Sequence, residues 1–416
     1  MELTDRLARE AAVKGPFFAI LCIIGALAIL SSTMSKNPVL NPFAESLNTP
    51  EALMGTIAAA STVPGVLISL PAGSLSDILG RRRVLLFSAV IFASAPFLYI
   101  LIDSWWQLIL VRFYHGFATA IFVPVARAAI AEMFPSSRGE KISTFTSATL
   151  VGRAVAPFLG GFILYMTVWN FRALYLAVGV AGITAFLITL VLLKEERLKE
   201  KPKTNLSSRS PRLMDGWGVI AANRGILAAG LVEASTRYSY GALEFFLVGY
   251  LKNVVMLDPL LIGVITGSQL VFIPLINPFM GRLSDRIGRR IPIILGLLIG
   301  AISLSAIPFA TCFPILLLIS ITYGLSYSMV TSAAPALVGD LAREDLYGAA
   351  MGFLAMIMDI GQMLGPVITG LILSLTVGYT DSFLSLGIIL LGSCLIFAAS
   401  TFSKSKPNEG KSQSFI

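Results

Sequence analysis

Two short stretches hold the residues of this chain best suited to polar chemistry. Residues 73–83 read GSLSDILGRRR and residues 281–291 read GRLSDRIGRRI. In each, an aspartate (Asp77, Asp285) can accept charge-assisted bonds from nearby arginines or cap a helix of the opposite half. Gly73 and Gly281 leave room for close helix approach, and Gly80 and Gly288 allow a sharp turn. Other ionisable residues stand inside apolar blocks, where charge is costly and is a functional suspect by default. These are Lys36, Arg127 and Arg153 in the first half, and Glu233, Arg237, Glu244 and Asp359 in the second. Glu233 and Arg237 are four apart and share a helix face. They are either a self-neutralising pair that makes insertion tolerable or a coupling site. A substrate anion that takes Arg237 would free Glu233 to bind a proton, whereas a cation would compete with the proton at Glu233 or Asp359. Arg153 is a candidate for direct substrate contact, or else a partner for Asp359 or backbone carbonyls.

These groups must be positioned by elements that live in lipid. Hydrophobic residues make up 56% of the 416 positions and charged residues 13%, with mean hydropathy +0.83. That is too little charge to cover a water-soluble protein of this length. The apolar residues come in blocks such as 17–30, 84–101, 174–193 and 291–310, each near the roughly 20 residues a helix needs to span a bilayer. Only helices or closed barrels satisfy the backbone in lipid, and blocks this long are not barrel strands. The pattern predicts an all-α membrane protein with twelve spans, near 15–36, 52–73, 84–102, 106–131, 142–166, 171–193, 225–250, 260–280, 291–310, 314–338, 347–375 and 381–402. The first block reads as a span and not a cleaved signal, because no small-residue cleavage site follows it.

With both termini cytoplasmic, 24 of the 31 Lys and Arg fall in cytoplasmic segments. The net charge of +8 is therefore topogenic, and nucleic acid is not an expected partner. Trp105, Trp106, Trp169 and Trp217 fall at span ends, where amphipathic rings favour the interface. Cys22, Cys312 and Cys394 are scattered and read as small buried residues, and His115 is the one histidine. No metal site or cofactor is expected. No P-loop and no nucleophile beside a base is present, so the chain is not expected to be an enzyme. The polar stretch 194–216 contains Pro202 and Pro211 and reads as a flexible linker. The expected organisation is a six-helix half at 1–193, a cytoplasmic linker at 194–223, a second six-helix half at 224–403 and a cytoplasmic tail at 404–416.

The halves repeat. At an offset of 208, Gly73 meets Gly281, Asp77 meets Asp285, Gly80 meets Gly288, Arg81 and Arg82 meet Arg289 and Arg290, Gly116 meets Gly324, and Glu132 meets Asp340. At 209, Gly152 meets Gly361, Pro157 meets Pro366 and Gly161 meets Gly370. Two similar six-span halves are the parallel-repeat plan of many transporters, with the substrate site between the halves.

With these features the sequence resembles the major facilitator superfamily over nearly its whole length. The family signature G-x-x-x-D-(R/K)-x-G-R-(R/K) is matched by Gly73, Asp77, Gly80, Arg81 and Arg82, with Ile78 in place of a basic residue. The second copy, Gly281, Asp285, Arg286, Gly288, Arg289 and Arg290, is complete. The resemblance implies a latch at the cytoplasmic face, one per half, that biases the outward-facing state. Loop "EMFPSSRGEK" shares an acid-then-RG plan through Glu132, Arg138 and Gly139. The family's R-x-x-Q-G in the fourth span corresponds to Arg112, His115 and Gly116. That places Arg112 and His115 on one face near the outer end, as functional groups or with Arg112 snorkelling to the interface. "GRAVAPFLGG" at 152–161 resembles the antiporter motif of the fifth span, with Ala156 replacing one Gly. Gly152, Ala156 and Gly160 form a small-residue stripe, Pro157 bends the helix, and Gly160–Gly161 end the motif. Its expected partner is the eighth span, through GVITG at 263–267, and its twin is Gly361, Gly365 and Pro366.

The resemblance implies a secondary active transporter of a small organic solute, in the cell membrane, acting as a monomer. The fifth-span motif points to proton-coupled export by antiport. The basic first half points instead to symport or facilitated transport of an organic anion. A membrane ligand sensor on the same fold is the non-transport alternative.

Overall fold

The computed structural model describes residues 2–135, 137–193, 220, 222–343, 346–376 and 378–402. The expected linker falls almost wholly outside them, at 194–219 and 221, as do Trp217 and the tail at 404–416. The described residues form helices and no strand. The first half comprises α1 (Glu2–Met34), α2 (Leu40–Ser46), α3 (Glu51–Ala60), α4 (Val63–Leu79), α5 (Arg81–Ile100), α6 (Trp105–Met133), α7 (Arg138–Met166) and α8 (Phe171–Leu192). The second comprises α9 (Arg224–Asn253), α10 (Pro259–Ile287), α11 (Arg290–Ala306), α12 (Phe313–Leu341), α13 (Tyr347–Thr376) and α14 (Tyr379–Phe402). Polar side chains start several of them. Asn170 accepts from the Ala173 N–H, Asn223 from Gly225 and Ile226, and Asp258 from Leu261, each satisfying an orphan donor of a helix N-terminus.

Two expectations are corrected, at the second span and at Cys312, and the twelve-span expectation is met in all but apolar character at one helix. The second span is not one helix: it breaks at Ser61–Thr62 into α3 and α4. Pro64 lies in the first turn of α4 and has no N–H to continue the α3 ladder. Eleven of the twelve expected spans are long and apolar enough to cross a membrane, and the twelfth, α9, is a 30-residue helix of lower apolar character. Glu233, Arg237 and Glu244 lower its apolar character, and α9 compensates by burying most of its residues against other helices instead of lipid. Cys312 is exposed at the start of α12, unlike buried Cys394, because it sits in a loop end and not inside a span.

The halves meet along two seams, α7 against α10 and α3 against α13. Both seams lie toward the end that carries α2. There α13 packs along α3 yet scarcely touches α4, the continuation of the same span. The apolar core has the same polarity. One cluster at the α2 end draws on both halves, uniting Met34, Phe43 and Tyr175 with Phe246, Ile262 and Leu304. Toward the end that carries the Arg-rich turns, the halves have separate cores: Phe17, Leu85, Phe122 and Phe145 in the first, Ile226, Val338 and Leu354 in the second. The molecule is thus sealed at the α2 end and divided at the Arg-rich end.

Candidate functional site

The Arg-rich turns have the same construction in both halves. Gly80 and Gly288 sit at φ +91° and +88°, a backbone region open to glycine, and each turns one helix into the next. Arg81 bonds Asp77 and Ser76 and forms a 2.7 Å ion pair with Glu132. Arg289 bonds Asp285, reaches Ser284 at 2.9 Å and pairs with Asp340 at 3.0 Å. Hydrogen bonding to Asp340, with Asp285 adding to it, holds the Arg289 guanidinium above its ordinary range. It stays charged throughout the physiological range. Arg82 ties the turn to the end of α8 through the Leu193 and Leu190 carbonyls. Arg138 donates to the Ala131 carbonyl at 2.9 Å, and Arg290 is exposed. Each aspartate is therefore engaged by an arginine of its own half, and neither caps a helix across the divide. Gly73 lies within α4, and a Cβ on Gly281 would meet open space, so the close approach expected of Gly281 is not made.

The small-residue stripe of α7 also needs correction. A Cβ on Gly152 would lie 2.1 Å from the Ala26 carbonyl, and one on Gly160 would press on Pro38, so the stripe with buried Ala156 faces α1 and its exit. The eighth span, α10, packs on the other flank, where Gly161 meets Pro259 and Gly263, and Gly263 meets the Pro157 carbonyl. The second half repeats this. Gly361 abuts the Ala234 carbonyl and Gly365 the Tyr238 carbonyl, both on α9, while Pro366 meets Gly55 on α3. Glycine at these points lets backbone approach backbone.

Between the halves lie the interior charges. Glu233 is wholly buried, neither of its carboxylate oxygens has a hydrogen-bond partner, and Arg237 Nε stands 4.0 Å away. The Arg237 guanidinium lies over the Tyr327 ring at 5.5 Å, and Asp359 is within its electrostatic reach. Arg153 shares the neighbourhood of Tyr240 and Tyr327, so α7 presents it to the same space; it does not pair with Asp359. Arg112 and His115 are 1% and 2% exposed, which rules out snorkelling. Arg112 donates to Ser61 Oγ at 2.5 Å, at the break between α3 and α4, and His115 Nδ1 lies 3.3 Å from the Tyr99 hydroxyl. Among the described residues no group of His, Cys, Asp or Glu is arranged to hold a metal ion.

Sequence reasoning passed over a lock at the α2 end. Glu45 of α2 accepts from Lys252 at 2.8 Å and from Asn253 at 2.6 Å, both on α9, and the Lys252 ammonium stands 5.4 Å from the Trp169 ring centre. It also left Lys36 and Glu244 apart, although they line one pocket with Arg112, Thr62 and Gln362. The repeat offset of 208 could have found them. Lys36 and Glu244 are repeat mates, as are Glu45 and Asn253, and mates near a pseudo-twofold axis meet across it.

Comparison with known proteins agrees with this architecture. Residues 21–237 and 229–415 each match the profile of the Major Facilitator Superfamily. An uncharacterised MFS-type transporter of Methanocaldococcus jannaschii is 24% identical over 342 residues, covering 80% of this chain and 85% of the relative. Multidrug resistance protein MdtG of Klebsiella pneumoniae is 25% identical over 350 residues, covering 82% and 81%. Quinolone resistance protein NorA of Staphylococcus aureus is 23% identical over 366 residues, covering 86% and 90%. In fold, a bacterial homologue of the human lysosomal transporter Spinster, crystallised inward-facing and unoccupied, superposes with TM-score 0.78 at 16% identity, covering 95% of this chain and 99% of that one. Matched over residues 21–237 and again over 229–415, the chain belongs to the major facilitator superfamily and is a multi-pass membrane transporter of small molecules, not an enzyme.

Proposed function

We propose that the protein exports a small organic solute in exchange for protons, by rocking its two halves about the cavity between them. In this reading the Arg-rich end and both termini are cytoplasmic, the sealed α2 end faces outward, and the chain acts as a monomer in the cell membrane. The state described is then inward-facing, with the cytoplasmic latches Asp77–Arg81–Glu132 and Asp285–Arg289–Asp340 each closed on their own half. The observation that carries proton coupling is Glu233. A carboxylate wholly buried, unbonded at both oxygens and 4.0 Å from a single arginine is held by very little in its ionised form. It can trade a proton for a cationic group or for a change in its distance from Arg237. The multidrug and quinolone resistance proteins among the relatives support export. Uptake of an organic anion is the second reading, favoured by Lys36, Arg112 and Arg153 on the first-half wall.

The test is reconstitution into vesicles with a trapped pH dye and an imposed proton gradient. Proton movement against the flux of a lipophilic cation supports antiport. Proton movement with an organic anion replaces export by uptake. Solute flux with no proton response returns Glu233–Arg237 to a structural pair, and ligand binding without any flux favours a sensor.

A further inference from the structure

Proton exchange at Glu233 leaves a second group of charges without work. Lys36 from the α1–α2 connection, Arg112 from α6 and Arg153 from α7 all come from the first half, and both arginines lie within electrostatic reach of Lys36. Lys36 and Arg112 line a pocket beneath the sealed end with Thr62, Gln362 and Glu244. The side chains of Lys36, Arg153, Glu244 and Asp359 make no hydrogen bond or ion pair with any described residue. Arg112 is nearly fully buried, yet its Nε and Nη1 have no partner. Three of these charges, Lys36, Arg112 and Glu244, line that pocket, and counting the groups within electrostatic reach of it or of Arg237 there are four cations (Lys36, Arg112, Arg153, Arg237) and three carboxylates (Glu233, Glu244, Asp359). Their excess is positive and concentrated at the sealed end, and buried charge left unpaired is costly until a ligand compensates it.

The carboxylates at the other level lie toward the open end. On α9, Glu244 is seven residues beyond Arg237, a rise of about 10 Å, and Asp359 is within electrostatic reach of Arg237. The wall between the two levels is aromatic: Tyr240 and Tyr327 stand 4.9 Å apart.

We propose that the transported solute is amphoteric. Its anionic group, a carboxylate, seats among Lys36, Arg112 and Arg153. Its ammonium, about 10 Å away along α9, meets Asp359 and Glu233. An aromatic body between them lies against Tyr240 and Tyr327. The inference rests on reading this cavity as the transport site. It reconciles the basic first half with proton antiport, because the ammonium end competes with the proton while the carboxylate end neutralises the cations.

The probe is 4′-(aminomethyl)biphenyl-4-carboxylate, a rigid molecule with its charges at opposite ends, compared with its methyl ester and its N-acetyl form. Binding to the purified full chain is measured by calorimetry. The amphoteric probe is expected to bind about tenfold tighter than either blocked form, the worth of one charge-assisted hydrogen bond. Lys36→Met and Arg153→Met should each erase the preference for acid over ester and spare that for amine over amide, and Lys36→Arg should keep both. If Lys36→Met fails to fold, Arg153→Met carries the same comparison. An ester that binds as well as the acid, or an amphoteric probe that does not bind, overturns the proposal. Vesicle assays separate the two readings. Proton-coupled flux of a simple cation without preference for the amphoteric probe sinks this site and leaves antiport standing. Preferential binding without proton-coupled flux does the reverse.

Discussion

Glu233 and Gly80 illustrate two kinds of residue that a repeat fold holds in place for different reasons. Where the second half has Glu233, Arg237 and Glu244, the first has Gly25, Ile29 and Lys36 at the same offset of 208. The frame is symmetric and the interior charges are not, so the charges cannot be owed to the frame. Replacing Glu233 with Gln keeps the shape and removes the group that titrates. Solute-driven acidification of the trapped dye is expected to fall to background while exchange of labelled solute down its own gradient persists. The destabilisation should be smaller than the roughly 3–5 kcal/mol of breaking a fully buried pair, because Arg237 keeps the face of Tyr327. Proton movement at the wild-type level in this variant would remove Glu233 from the mechanism. Gly80 is a matter of backbone alone. At φ +91°, with open space where a Cβ would go, Gly80→Ala carries only conformational strain, about 1–3 kcal/mol. Thermal unfolding of the purified protein should show the same loss for Gly288→Ala, at φ +88°, and no difference from wild type in either would mean the turns relax freely.

At the scale of helices, close approach is bought at a few glycines and tested there. Gly152→Leu must drive α7 off the Ala26 carbonyl of α1, and Gly361→Leu must drive α13 off Ala234 of α9. Overpacking of this kind costs typically 1–3 kcal/mol and more against rigid backbone. Both should lower the unfolding temperature and the yield of folded protein, whereas Gly352→Ala, on the same helix as Gly361 but facing open space, should be neutral. Equal losses at all three would show that helix propensity and not contact is being read. The stripe itself was legible in the sequence, since spacing by four puts small residues on one face. Its partner was not. Gly152, Ala156 and Gly160 lie against α1, and only the neighbouring Pro157 and Gly161 reach α10, because a helix rotated by a single residue turns a different flank to each neighbour. The spans were legible for the same reason of composition, and α9 is the least lipid-like of them because of its charges. The break at Ser61–Thr62 could have been read from Pro64. That Ser61 then receives Arg112 depends on helices distant in sequence, and no local pattern carries it.

For the whole molecule the question is what holds one end shut while the other stands open. At the Arg-rich end the ion pairs of Arg81 and Arg289 stay within their own halves, so neither of them opposes separation. At the α2 end the halves share a core, and Glu45 joins Lys252 and Asn253 across the seam, with Trp169 beside the ammonium. That seam also buries polar atoms without partners, among them Asn37 Oδ1 and both side-chain polar atoms of Asn41. Unpaired buried polar groups destabilise the sealed state and are hydrated again when it opens. The lock therefore works against a seam that is itself poised to part, and a modest change in it should move the conformational balance. The Glu45–Lys252 pair is partly exposed, so its worth is about 1 kcal/mol or less, roughly a fivefold change in the ratio of the two states. Glu45→Gln and Lys252→Met should each raise the population open at the α2 end by up to that factor. The readout is the distance between spin labels placed on α2 and on the α9–α10 loop. The exchanged pair, Glu45→Lys with Lys252→Glu, should restore much of the balance, since the pair attraction survives the swap while the Trp169 contact is lost. Raised salt should mimic the single substitutions only weakly, because the pair is partly withdrawn from solvent. If neither single substitution shifts the label distances, closure rests on the shared core alone and the lock is a bystander.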